Sequence, residues 1–179
     1  FPASAKADVE TMIKHFRTSL GNLIDKASWM SASTKREAHA KLDAFGAKIG
    51  YPDKWKDYGS LKIDRGDLVG NVTRSTAWQW TDMLNKLGKP IDTHEWLMVP
   101  QENNAYYWPQ RNEIVFPAGI LQAPYYDPAA DLASNYGEIG ATIGHEMSHG
   151  FDDQGRKSDA KGVLRDWWTK EDAARYTAE

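Results

Sequence analysis

The chain has 179 residues, enough for one sizeable core, and its 22 basic and 25 acidic side chains leave a formal charge of -3. That balance is too even to point to nucleic acid or an anionic membrane as a partner, and no apolar run approaches the roughly 20 residues of a membrane span. Cysteine is absent, which excludes a disulfide framework and a thiolate metal site, so any metal must be held by His, Asp or Glu.

The first 50 residues are helical in pattern. Val9, Ile13 and Phe16, then Leu20, Leu23 and Ile24, recur at spacings of three and four. Ser31 or Ser33 can cap a second helix carrying Ala38, Leu42 and Phe45, predicted to end near Gly46 or Gly50. Tyr51-Pro52-Asp53 is a turn, and Leu61 and Ile63 make a weak candidate strand. A third helix is predicted over residues 67–87, stopped by Gly88, with Trp78 and Trp80 read as packing residues. Residues 105–108 and 113–116 are β-rich and flank a polar turn at 109–112, the pattern of a hairpin. Pro109 and Pro117 fit strand ends or an edge strand, a place where an extended peptide can add itself. Thr169, with Asp172 three residues on, resembles a capping box for a helix starting at Lys170. That helix reaches the last residue, Glu179, and the chain opens at Phe1 rather than Met, so the sequence reads as a piece of a longer one.

The chemistry is concentrated in residues 134–150, read as one helix capped by Ser134 or Asn135 and ended by Gly150. Tyr136, Ile139, Ile143 and Met147 share a face of about 80° of arc at about 100° per residue. His145 and His149 lie on nearly the opposite side, about 40° apart, with Glu146 beside them. Residues four apart stand one above the other with Cβ atoms about 5–6 Å apart. Two imidazoles placed so can converge on one Zn²⁺ at about 2.0–2.1 Å. The glutamate after the first histidine then faces the metal's open position, where a carboxylate can take the proton of an activated water as it attacks a carbonyl.

This is the His-Glu-x-x-His pattern, and a chance match in a chain this size is on the order of one in a few hundred. His145 and His149 are therefore read as zinc ligands and Glu146 as the catalytic base, rather than as solvated residues of a polar face. Gly140 and Gly144 beside them are costly in a helix unless something packs closely. His15, His39 and His94 have no such partners and are read as surface or satisfied structural residues.

Around that helix the sequence resembles the neprilysin-like family of zinc endopeptidases, which includes neprilysin, endothelin-converting enzymes and bacterial oligopeptidases. The matching stretches are Asn104-Ala105-Tyr106-Tyr107, Arg111-Asn112-Glu113-Ile114-Val115-Phe116-Pro117-Ala118-Gly119, His145-Glu146-Met147-Ser148-His149-Gly150-Phe151-Asp152-Asp153 and Asp166-Trp167-Trp168. The resemblance implies an α+β, mainly α fold: the front part of a thermolysin-like (gluzincin) catalytic domain with a small sheet and preceding linker helices. Residues 1–50 would join a second lobe to the catalytic lobe, and 51–179 would be the incomplete N-terminal part of the catalytic domain. Asn104 and the backbone of Ala105 would hold a substrate peptide as an added strand. Asp152 would lie close behind the metal, where it could fix a histidine tautomer, cap the helix end or bond Arg156.

One element of the family pattern has no match. Its third zinc ligand is a Glu within a Glu-x-x-x-Asp motif on a later helix, whereas Glu171 is followed four residues on by Arg175 and Glu179 is last. The implied partners are thus peptide substrates and the remainder of the polypeptide, which would supply that ligand; this segment alone is expected to be inactive and to make no membrane contact. The implied activity is zinc-dependent hydrolysis of oligopeptides on the amino side of apolar residues. It would take place outside the cytosol, in a bacterial periplasm or cell envelope, with a cytoplasmic site as the other option. A non-catalytic peptide-binding module that kept the fold is the alternative, against which the intact Glu146 argues.

Overall fold

The computed structural model describes residues 2–178; Phe1 and Glu179, which mark the ends in the sequence reading, lie outside the described residues. One compact unit joins the segment up to Tyr51 to the segment from Leu97 onward, and Pro52–Trp96 form a second.

Helix α1 (Ala3–Lys26) turns Ala5, Val9, Met12, Ile13 and Ile24 inward, following the rhythm of the sequence. Helix α2 (Ala32–Asp43) is capped by Ser31, whose side chain accepts the N–H of Thr34. It stops at Asp43, short of the predicted end, and Gly46–Gly50 form a strand, β1. The cause is a distant partner that local periodicity does not contain. β1 runs parallel to β3 (Glu113–Pro117), from Gly46 opposite Glu113 to Gly50 opposite Pro117. Gly46 permits the close approach, since a Cβ there would stand 3.0 Å from that of Glu113.

The hairpin forms as predicted. β2 (Tyr106–Trp108) pairs antiparallel with β3, Tyr107 opposite Ile114. The strand order β1-β3-β2 leaves β2 at an edge, while Ile114, Val115 and Phe116 in the central strand have no exposed surface. Such a strand, buried on both faces, reads as a continuous apolar run, and each large side chain so buried contributes about 1.5–3 kcal/mol.

In the second unit, α3 (Leu68–Leu84) is capped by Asp67, which accepts the N–H of Gly70 at 2.8 Å. No residue of α3 is buried. Leu61 and Ile63 form no strand; two alternating apolar positions are too few to build a ladder. Trp78 packs as expected, its Nε1 donating to the Ser60 hydroxyl at 2.8 Å and its ring 5.0 Å from that of Tyr58. Trp80 does not, being 57% exposed.

The predicted single helix over 134–150 is two. α4 (Leu132–Gly137) and α5 (Ile139–Ser148) meet at Glu138, whose φ of -96° and ψ of -88° break the helical run. The cap is Asp131, which accepts the N–H of Ser134 at 2.9 Å. Asn135 is committed elsewhere: its amide is bonded to the N–H and C=O of Asp127 at 3.0 and 2.8 Å. Helix α6 (Lys170–Ala178) begins as the capping box predicts, with the Thr169 hydroxyl accepting the N–H of Asp172 at 3.0 Å. The result is a mainly helical fold with one small sheet. Among the described residues no helix is long and apolar enough to cross a membrane.

Candidate metal centre

Helix α5 is seated by its apolar stripe. Ile139, Ile143 and Met147 are 0, 0 and 1% exposed, and the ring of Phe16 from α1 lies on the glycine side. A Cβ added to Gly140 would stand 3.1 Å from Phe16 Cζ, and one on Gly144 would stand 3.5 Å from Cε1. The propensity cost of Gly140, up to about 1 kcal/mol, is thus matched by close packing of α1, whereas Gly144 would make only an ordinary contact.

Opposite that stripe the helix presents its imidazoles. His145 Nε2 and His149 Nε2 are 3.0 Å apart, with ring planes at 79° and centroids 4.5 Å apart. Glu146, between them in sequence, is 7% exposed. Burial raises its pKa, against the opposing pull of His145, His149 and a hydrogen bond from the Tyr107 backbone. Among the described residues no group of three or more His, Cys, Asp or Glu gathers where it could hold a metal.

Asp152 stands between His149 and the turn that follows it. Its Oδ2 lies 3.0 Å from His149 Nδ1, and its Oδ1 accepts the N–H groups of Gln154 and Gly155 at 2.9 and 2.7 Å. Arg156 pairs instead with Asp166 at 2.8 Å. Burial raises the Asp152 pKa, but the Gly155 amide, the His149 ring and the Gln154 amide together hold it below the usual carboxylate range. An anionic Asp152 needs a donor on Nδ1, which leaves the lone pair of His149 on Nε2.

That lone pair faces a second ring nitrogen at 3.0 Å. A proton on the neighbour or a cation between the rings satisfies it. Two nitrogens bound to one tetrahedral Zn²⁺ at about 2.0–2.1 Å stand about 3.3 Å apart, so the pair needs to open by only a few tenths of an ångström. The nitrogen donors suit zinc, and the carboxylate of Glu146 is near enough to feel the charge of both rings. The residues present fit a zinc ion as two of its ligands.

Asn104 and Ala105 stand at the entry to β2. Asn104 is exposed, and its Oδ1 accepts the N–H of Ala105 at 2.9 Å. Ala105 is 6% exposed and immediately precedes the edge strand β2. The remaining histidines have partners of their own: His15 bonds the Tyr136 hydroxyl, His39 lies 2.7 Å from Asp25, and the backbone of His94 bonds Asp92.

Two residues of this neighbourhood escape the sequence reading. Lys41 is 1% exposed, and Asn112 is fully buried with a left-handed φ of 49°. Lys41 had a signal: it lies three residues after Ala38 and four before Phe45, on the buried stripe of α2. Asn112 had the turn between the two β-rich runs, where Asn tolerates positive φ.

Comparison with known proteins finds matching family models, relatives and solved structures. Two models described as Peptidase family M13 match residues 1–52 and 104–179. Neutral endopeptidase of Lactobacillus helveticus is 47% identical over 178 residues, 98% of this chain and 28% of that protein. Neprilysin of Homo sapiens is 36% identical over 184 residues, covering 98% and 24%. The crystal structure of a zinc metalloprotease of Mycobacterium tuberculosis in complex with inhibitor superposes with a TM-score of 0.93 at 52% identity, over 97% of this chain and 26% of that one. PEPO from Lactobacillus rhamnosis gives a TM-score of 0.93 at 38% identity, over 99% and 29%. The chain thus spans about a quarter of the length of the relatives it matches.

Proposed function

This chain belongs to peptidase family M13, and on that premise we propose that it carries the base and two of the zinc ligands of an endopeptidase that hydrolyses oligopeptides. The observation that carries the proposal is the pair of Nε2 atoms 3.0 Å apart, with buried Glu146 beside them and Asp152 behind His149. His145 and His149 hold the metal, and the remainder of the polypeptide supplies the third ligand. Residues 1–50 then join the second lobe to the catalytic lobe, and 51–179 begin the catalytic domain; the separate family matches at 1–52 and 104–179 support this division.

A bound zinc ion supplies a water of lowered pKa and polarises the carbonyl under attack. The chain's own residues do the rest. Glu146 accepts the proton of the attacking water and passes it to the departing amine, a transfer worth typically 10²–10⁴-fold in rate. Asp152 holds the Nδ1 proton of His149 and so keeps its lone pair toward the metal. The edge strand β2, entered through Asn104 and Ala105, receives an extended peptide by strand addition. A preference for cleavage on the amino side of apolar residues, and work outside the cytosol in a bacterial envelope, complete the reading.

The test is hydrolysis of an oligopeptide by the full-length protein before and after removal of metal by a chelator. Activity that disappears with the metal and returns with added zinc supports the proposal. Activity indifferent to the chelator contradicts it, and metal binding without hydrolysis favours a peptide-binding module.

A further inference from the structure

We propose that Lys41 is a positioning residue for the metal-binding histidine, pinning the turn that aims Asp152 at His149. The inference rests on the zinc reading above.

The Lys41 ammonium is enclosed by the rings of Tyr107, Phe151 and Trp167, whose centroids lie 5.7, 5.9 and 5.5 Å away. Burying a charge is costly unless it is bonded and paired. Burial lowers the Lys41 pKa to about 8, with the charges of Asp152 and Asp159 opposing. A residue that merely filled space here would be apolar. Lys41 instead places two donors on main-chain carbonyls, Gly155 at 2.7 Å and Ser158 at 2.6 Å. These carbonyls bracket the short helical turn Gly155–Lys157.

Gly155 carries the connection onward. Its carbonyl accepts from Lys41 and from Trp167 Nε1, while its N–H donates to Asp152 Oδ1 at 2.7 Å. The other oxygen of Asp152 stands 3.0 Å from His149 Nδ1. From ammonium to ligand, each link is a hydrogen bond or a single residue. Asn112 steadies the far end, its Nδ2 donating to the Lys41 carbonyl at 2.8 Å and its Oδ1 accepting from the Tyr107 hydroxyl at 3.1 Å. If the turn drifted, Asp152 would lose its aim, and His149 could take the tautomer with a proton on Nε2, which leaves no lone pair on that nitrogen to bind a metal.

The experiment measures zinc affinity of the full-length protein by competition with a chromogenic chelator. Lys41→Met is expected to weaken zinc binding about tenfold while its metal-free circular dichroism stays that of the wild type. Asp152→Asn should weaken it 10- to 100-fold, on the order expected for a group orienting a ligand. Because Lys41 acts through Asp152, the double variant should bind within about twofold of Asp152→Asn alone. Unchanged affinity in Lys41→Met, or losses that multiply in the double variant, would overturn the proposal. His149→Ala separates the two readings: if it leaves zinc affinity intact, the metal site itself is misassigned. Loss there alongside normal binding in Lys41→Met contradicts the role of Lys41 alone. Should Lys41→Met fail to fold, hydrogen exchange in Asp152→Ala examines the same turn with Lys41 present. Protection of the amides of residues 156–158 within about threefold of wild type supports the clamp, and its loss overturns it.

Discussion

The ring of Phe16 rests on the bare backbone of Gly140, so close that a methyl group there would stand 3.1 Å from Phe16 Cζ. The first helix of the chain is therefore the floor on which the histidine-bearing helix lies. Four residues on, Gly144 has more room, its added methyl meeting the same ring at 3.5 Å, an ordinary contact. Gly144→Ala should leave stability unchanged or raise it by up to about 1 kcal/mol through helix propensity. Gly140→Val should cost about 1–3 kcal/mol by overpacking. Thermal unfolding of both variants checks the contrast, and equal effects would show that Phe16 does not set the spacing.

Asp172 ties α6 to the start of α2. It is fully buried and receives the N–H of Ser31 at 3.0 Å, the Ser31 hydroxyl at 2.6 Å and the Thr34 hydroxyl, and it pairs with Arg175. Burial pushes its pKa up, but the bonds from Ser31, Thr34 and Thr169 prevail and hold it at about 2. A carboxyl whose folded pKa is depressed stabilises above its unfolded value near 3.9 and loses that contribution as pH falls through the folded one. Asp172→Asn should therefore be less stable than wild type at neutral pH by about 1–3 kcal/mol. The gap should narrow between about pH 4 and pH 2. A gap that stays constant across this range would contradict the assignment.

Gly155 has no room for a side chain, because a Cβ would collide with the carbonyl of His149 and the backbone of Gly150. Gly155→Ala must push the turn away from α5. We expect a loss of stability of about 1–3 kcal/mol, together with at least tenfold weaker zinc binding, since the Gly155 amide orients Asp152. Wild-type zinc affinity in a destabilised variant would show that the turn is scaffold without influence on the ligand.

How much of this the sequence carried depended on whether the decisive partner was local. The stripe Ile139, Ile143 and Met147 and the opposing pair His145 and His149 are set by helical geometry alone, so both were legible. The hairpin was legible because its two strands flank their own turn. β1 was not, since its partner β3 is remote in sequence, and residues after Asp43 continue a helix-like spacing until that partner is known. Likewise Ser134 and Asn135 are good caps in isolation, but Asn135 is consumed by Asp127 and Asp131 takes the role. The partners of Asp152 were not legible, because its bonds to His149 and Gly155 depend on the path of the turn after α5. Lys41 was passed over because lysine on a helix is ordinarily solvated, although its register with Ala38 and Leu42 marked it as buried.

The most direct test compares wild-type and Glu146→Gln full-length protein for zinc content and for the rate of oligopeptide hydrolysis. Gln keeps the shape of Glu146 but cannot accept a proton, and it leaves His145 and His149 untouched. Zinc per chain should be unchanged, with kcat reduced on the order of 10²–10⁴-fold. Zinc retained and kcat within about threefold of wild type would contradict Glu146 as the base.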